Sequence, residues 1–304
     1  MVTANNVPIV PIKRLSTGID VLDWIWGSSN VGNRFEWGFP AGKLTLLPGE
    51  GGLGKTRLSI SMVKAFLHKN LGASVLYFQN EALPSDIVGL LNEPQIMVSC
   101  RMDIEADSSL ESQLYKISTA RDRPALVVVD SITMIDEFED GRNDKKVRHL
   151  VERYREVANA TGAHILFLSH VTKSGDAKGS TVLPHLVDSV FYAHREKGYD
   201  GFVLETGKHR YGQSKRKCYW RYENQMPVGY PSKEMFEDKL WVKDHPMAKY
   251  VKPVETKVFD PVAYVESPEF GDFIERVQNF DDPSQGGWLK RKATKYIIRL
   301  VARR

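Results

Sequence analysis

Gly49-Glu50-Gly51-Gly52-Leu53-Gly54-Lys55-Thr56 fits the pattern G-x-x-x-x-G-K-[ST] of a phosphate-binding loop. Its flanks complete the context. Residues 43–47 (KLTLL) are a short apolar run that ends at Pro48-Gly49, and residues 58–67 place apolar side chains at helical spacing. Gly51, Gly52 and Gly54 let the backbone curl so that successive N–H groups point inward at phosphate oxygens. The helix that follows adds its positive N-terminal end. Lys55 is suited to neutralise β- and γ-phosphates, and the Thr56 hydroxyl to ligate Mg²⁺. The nucleotide-binding set is therefore Gly49, Glu50, Gly51, Gly52, Leu53, Gly54, Lys55, Thr56 and Arg57, with ATP and Mg²⁺ as the expected cofactors.

Outward from this loop, strand-like and helix-like stretches alternate between residues 14 and 224. Residues 74–78, 125–129, 164–169, 187–193 and 201–206 read as strands, and residues 144–161 as a long amphipathic helix closed by Gly162. Continuous Val/Ile/Leu runs separated by helical patterns predict an α/β fold, with a mostly parallel sheet covered by helices on both faces. Such a sheet carries its working loops at the C-terminal ends of its strands. Asp130 ends the run Leu126-Val127-Val128-Val129 and is placed to hold Mg²⁺ through water; the alternative is an aspartate that caps the next turn. Glu81 follows the strand at 74–78 and would stand on the same rim, where a carboxylate polarises an attacking water. Glutamates after strands are common, and spacing alone leaves that role open.

The 304 residues are 42% hydrophobic and 26% charged, which excludes a largely disordered chain. Net charge is +4, which permits nucleic-acid binding without arguing for it. Two cysteines, Cys100 and Cys218, exclude a disulfide scaffold and a four-cysteine zinc module. No apolar stretch of signal-peptide or membrane-spanning length is present. A cytoplasmic protein, of a bacterial cell or a phage-infected host, without a membrane partner is the expectation. Residues 1–14 read as an arm, 15–224 as the core, and 225–304 as an extension ending in a basic helix. That last segment, residues 288–304, carries seven basic side chains and no acidic one. It reads as a solvated helix packed on the core, as an accessory nucleic-acid contact, or as a docking element.

Three stretches carry a family resemblance. Leu15-Ser16-Thr17-Gly18-Ile19-Asp20-Val21-Leu22-Asp23, followed by Gly38-Phe39-Pro40-Ala41-Gly42 and the phosphate loop, resembles the opening of RecA-superfamily ATPases. Ser169-His170-Val171-Thr172-Lys173-Ser174-Gly175, followed by Val182-Leu183-Pro184-His185-Leu186-Val187-Asp188, is similar to the H-V-T-K-x-G and V-L-x-H-hydrophobic-V-D patterns of the bacterial RadA (Sms) branch. Lys208-His209-Arg210-Tyr211-Gly212 is similar to that branch's K-N-R-F-G motif. The resemblance implies that Glu81 is the catalytic glutamate and that His170 senses the γ-phosphate. It also implies that Lys208 and Arg210 reach into a neighbouring subunit's site. Without it, the last two read as a solvated basic turn. Departures are equally plain: His209 and Tyr211 replace the motif's Asn and Phe, residues 28–37 are inserted, and neither the zinc finger nor the Lon-like domain of RadA is recognisable. The chain reads as a minimal, phage-like version.

The resemblance further implies single-stranded DNA as a partner and self-association into a hexameric ring or a filament, with other replication or recombination proteins as further partners. The loop 173–180, with Lys173 and Lys178, is the first candidate DNA contact, and the loop 138–146, with Arg142, Lys145 and Lys146, is the second. Each also reads as an ordinary surface loop. The expected activity is that of an ATP-dependent helicase, translocase or branch-migration factor. A strand-exchange recombinase and a KaiC-like regulatory ATPase without DNA are the alternatives.

Overall fold

A computed structural model describes residues 11–31, 34–91, 101–141, 143–171, 181–197, 201–223 and 226–230. The central element is a nine-stranded sheet. Its strands are β5 (Leu44–Gly49), β6 (Val75–Gln79), β7 (Met102–Glu105), β8 (Leu126–Asp130), β9 (His164–His170), β10 (Ser189–His194), β11 (Phe202–His209), β12 (Lys217–Glu223) and β13 (Met226–Tyr230). Their order is β13-β12-β11-β10-β5-β9-β8-β6-β7. The six strands from β10 to β7 run parallel, and β11, β12 and β13 join antiparallel at the other edge. The fold is thus the expected α/β arrangement. Because β13 pairs with β12, the sheet runs past the boundary expected at residue 224.

The parallel strands read as unbroken apolar runs because both of their faces are covered. In β8, Leu126, Val127, Val128 and Val129 are all fully buried, and they divide by alternation between two cores. One core packs the sheet against α1 (Asp20–Trp26) and α2 (Lys55–Lys69). The other packs it against α4 (Leu110–Thr119) and α5 (Asp144–Thr161). Each fully buried aliphatic side chain contributes roughly 1.5–3 kcal/mol, so these strands fix the frame on which the loops stand.

Local signals explain the helix ends. Asn143 caps α5 through its side-chain oxygen, which accepts from the N–H groups of Lys145 and Lys146, and Gly162 closes it at φ 79°. Ser109 caps α4 in the same way. The inserted residues 28–37 contain a two-stranded hairpin, β2 (Ser28–Val31) with β3 (Arg34–Trp37). Two further short strands, β1 (Arg14–Leu15) and β4 (Phe39–Pro40), pair nearby. Arg14 belongs to this packed region and not to a free arm: it is 5% exposed and donates to the carbonyls of Trp26 and Gly38. The remaining helices are α3 (Pro84–Leu91) and α6 (Leu183–Leu186). Residues 231–304, including the basic segment 288–304, lie outside the described residues. No helix among the described residues is long and apolar enough to cross a membrane.

Candidate active site

The phosphate loop leaves the C-terminal end of β5 and leads into α2, whose first residue is Lys55. Gly54, immediately before that helix, holds φ at 91°. A Cβ there would come within 1.9 Å of the Tyr222 hydroxyl, which donates to the Gly54 carbonyl at 3.0 Å. At Gly51 and Gly52 a Cβ would meet nothing within 4 Å. Open space therefore borders the loop at Gly51 and Gly52, as a phosphate site requires. Lys55 folds over this space and donates to its own loop's carbonyls at Gly49 and Glu50, both at 2.8 Å. Burial pulls its ammonium below the ordinary lysine range, while Glu81, Asp130 and Glu50 act in the opposite direction.

Asp130 ends β8 on the same rim. Its Oδ2 accepts from Thr56 Oγ1 at 2.7 Å and from Tyr77 Oη at 2.9 Å. Tyr77 is in turn within 2.8 Å of Ser59 Oγ. Burial raises the Asp130 carboxyl above its ordinary range, and the two hydroxyl donors oppose that shift. Thr56 and Asp130 form a pair of hard oxygen donors beside a phosphate cradle, which suits Mg²⁺ completed by water and phosphate oxygens. Among the described residues, no group of three or more His, Cys, Asp or Glu offers an all-protein metal cage.

Glu81 stands just beyond β6, whose Gln79 is level with Asp130 in the parallel ladder. Its Oε1 accepts a short hydrogen bond from Ser131 Oγ, and its two oxygens lie 3.0 and 3.2 Å from His170 Nε2. Burial raises the Glu81 carboxyl, but the bonds from Ser131 and His170 and the charge of Lys55 outweigh it and hold the group below its ordinary range. His170 is the last residue of β9, the strand beside β8. Lys55, Thr56, Asp130, Glu81 and His170, five positions expected from the sequence, thus gather on one rim.

Lys208 and Arg210 do not join them. In the antiparallel pair β10–β11, His209 lies opposite Ser189, which is level with Thr45 near the start of β5; Ala193 is level with Gly49 at its end. Four residues of strand, about 13 Å, separate the two levels. The pair therefore sits at the rim opposite its own phosphate loop. Lys208 donates to the carbonyls of His185 and Val187, and Arg210 pairs with Asp188 at 3.3 Å.

Of the expected DNA contacts, Arg142, Lys173 and Lys178 lie outside the described residues. Lys145 and Lys146 do not stand on a loop. They occupy the first turn of α5, as the helical pattern at 144–161 expects, and their N–H groups donate to the capping side chain of Asn143. Cys218 is a free buried thiol. Sequence reasoning missed Ser131, Tyr77 and Tyr222. Ser131 stands beside Asp130 and was open to inspection, whereas Tyr77 and Tyr222 reach the site only through strand pairing.

Residues 14–176 match the family described as AAA domain. Over 216 residues the chain is 29% identical to DNA repair protein RadA of Brucella abortus, a match covering 69% of this chain and 44% of that protein. Over 186 residues it is 31% identical to DNA repair protein RadA of Bacillus subtilis, covering 58% and 38% respectively. The match thus spans less than half the length of these curated relatives. A crystal structure of a KaiC-like protein from Pyrococcus horikoshii OT3 has a similar fold, with a TM-score of 0.56 at 20% identity over 73% of this chain and all of that one. The phosphate loop, the carboxylates around it and these matches together establish that the chain belongs to the AAA-domain family, as a RecA-superfamily ATPase related to RadA.

Proposed function

We propose that this protein is an ATP-driven motor on single-stranded DNA, a helicase, translocase or branch-migration factor, acting in DNA recombination, repair or replication. Its nucleotide sites are completed between neighbouring copies in a ring or filament. What supports this reading is the division of functional side chains between two rims: Lys55, Thr56, Asp130, Glu81 and His170 at one, Lys208 and Arg210 at the other. The shared name of the RadA relatives supports placing it in DNA metabolism.

The chemistry assigns a task to each residue. The loop N–H groups and Lys55 bind the phosphates and orient the γ-phosphoryl group for in-line attack. Thr56 and Asp130 would hold Mg²⁺, which would supply neutralisation of the phosphate charge. Glu81 receives the proton of the attacking water. Its Oε1 is shared by Ser131 and His170, and an attacking water competes with His170 for this carboxylate. That competition links the presence of a γ-phosphate to the segment following His170, which contains Lys173 and Lys178. Lys208 and Arg210 supply cations to the transferring group of the next copy.

ATP turnover measured with and without single-stranded DNA, with the size distribution of the same sample, tests this reading. Stimulation by DNA together with assembly is the expected result. Turnover indifferent to DNA defeats the motor assignment. Arg210→Ala should bind ATP yet fail to hydrolyse it, and a wild-type rate for that variant defeats the role across subunits.

A further inference from the structure

Arg210 is carried on a mount. Its Nη1 lies 3.3 Å from Asp188 Oδ1, and its backbone N–H donates to the Asp188 carbonyl at 3.1 Å. The other Asp188 oxygen, Oδ2, accepts from the backbone N–H of Leu44 at 3.0 Å. The carboxylate is thereby pinned to the first residue of β5, the strand that ends in the phosphate loop. Asp188 is 4% exposed, whereas the side chain of Arg210 is 51% exposed. At the end of β11, next to Arg210, the His209 ring is fixed between Ser189 Oγ, 2.8 Å from Nδ1, and the Trp26 carbonyl, 2.9 Å from Nε2.

We infer that Asp188 is a positioning residue, which fixes the Arg210 guanidinium in the direction in which it is presented to the nucleotide site of a second copy of this chain. The inference rests on the proposed role of Arg210 across subunits. Three observations carry it. An arginine has five N–H donors, and the ion pair to Asp188 uses one, leaving the half-exposed remainder for an anion arriving from outside. A half-exposed ion pair adds little to stability, and the Leu44 N–H engages only Oδ2, so Oδ1 is left to hold Arg210. Finally, an unrestrained arginine loses rotamer freedom when it meets an anion, and a pinned carboxylate removes part of that loss before the phosphoryl group arrives.

The test uses full-length Asp188→Asn, Arg210→Ala and Lys55→Ala, alone and mixed. Asp188→Asn keeps an oxygen for the Leu44 N–H but turns an amide N–H₂ toward the guanidinium. Its kcat should fall roughly 10-fold while the KM for ATP stays within about twofold. Mixing it with Lys55→Ala should restore turnover, because the Lys55→Ala copy lends a correctly held Arg210 to the intact phosphate loop of its neighbour. Wild-type turnover by Arg210→Ala overturns the reading across subunits, and the inference with it. If Arg210→Ala is inactive but Asp188→Asn turns over normally, the inference alone fails. A folded Asp188→Asn that Lys55→Ala does not rescue also overturns it, since Asp188 then acts within its own subunit. Should Asp188→Asn not fold, Asp188→Glu keeps the buried charge while displacing Arg210, and the same loss and rescue are expected.

Discussion

Thr56 and Asp130, 74 residues apart in the chain, are joined by a hydrogen bond of 2.7 Å. The contact brings the first turn of α2 to the tip of β8 and sets two oxygen donors side by side at the mouth of the phosphate cradle. Asp130→Asn keeps the shape and one acceptor oxygen but removes the charge that would face a cation. Hydrolysis should fall by roughly 10²–10³-fold, with thermal stability close to wild type. Calorimetric titration with ATP, with and without Mg²⁺, checks the cause: the variant should lose the gain in affinity that Mg²⁺ gives and keep the affinity for ATP alone.

Glu81→Gln should leave a protein that binds ATP and does not turn it over. The amide retains an oxygen for Ser131 but cannot take up a proton, so kcat should drop by roughly 10²–10⁴-fold. Single-turnover measurement separates the steps. Normal binding with stalled cleavage is the expected outcome, and a variant that cleaves at the normal rate removes Glu81 from the reaction.

Gly54 can be replaced only at two distinct costs. Holding φ at 91° with a Cβ costs about 1–2 kcal/mol, and the Cβ would also fall 1.9 Å from the Tyr222 hydroxyl. Gly54→Ala should therefore destabilise the protein and abolish nucleotide binding. Urea unfolding of the single variants and of the combination with Tyr222→Ala should give a favourable coupling, because the smaller side chain removes the collision but not the backbone strain.

Acid should loosen the packed region around α1. His164 and His209 are both held at a pKa of about 4, chiefly because burial disfavours the charged ring. In the unfolded chain they return toward 6.5. Between those values the unfolded chain binds more protons than the folded one, so stability falls as pH drops from about 6.5 to about 4. Urea midpoints across that interval check the slope, and His209→Asn should make it shallower.

Much of this arrangement could be read from the chain. The strands at residues 74–78, 125–129 and 164–169 announce themselves because burial on both faces leaves no room for polar alternation, and Gly162 marks the end of α5 by its left-handed backbone. Asp130 and Glu81 were legible because parallel strands deliver their last residues to one rim. The hairpin β2–β3 was not, since its short strands pack little and show no clean period. Nor were the bonds from Ser131 and Tyr77 to the site carboxylates, or the contact of Tyr222 with the phosphate loop. Those depend on which strand lies beside which, and local sequence carries no record of that. Lys145 and Lys146 fell in both the loop at 138–146 and the helix at 144–161; the cap at Asn143 settles them in the helix.

The register of β10 and β11 puts Arg210 at one end of the sheet and the phosphate loop at the other. A contact made between such unlike ends has a direction. Propagated head to tail, as proposed above, it leaves a row of copies with two inequivalent ends. An open row always has one more bound nucleotide than completed sites, whereas a closed ring has none to spare. Turnover per copy should consequently climb with the length of an open row and become constant once the row closes on itself.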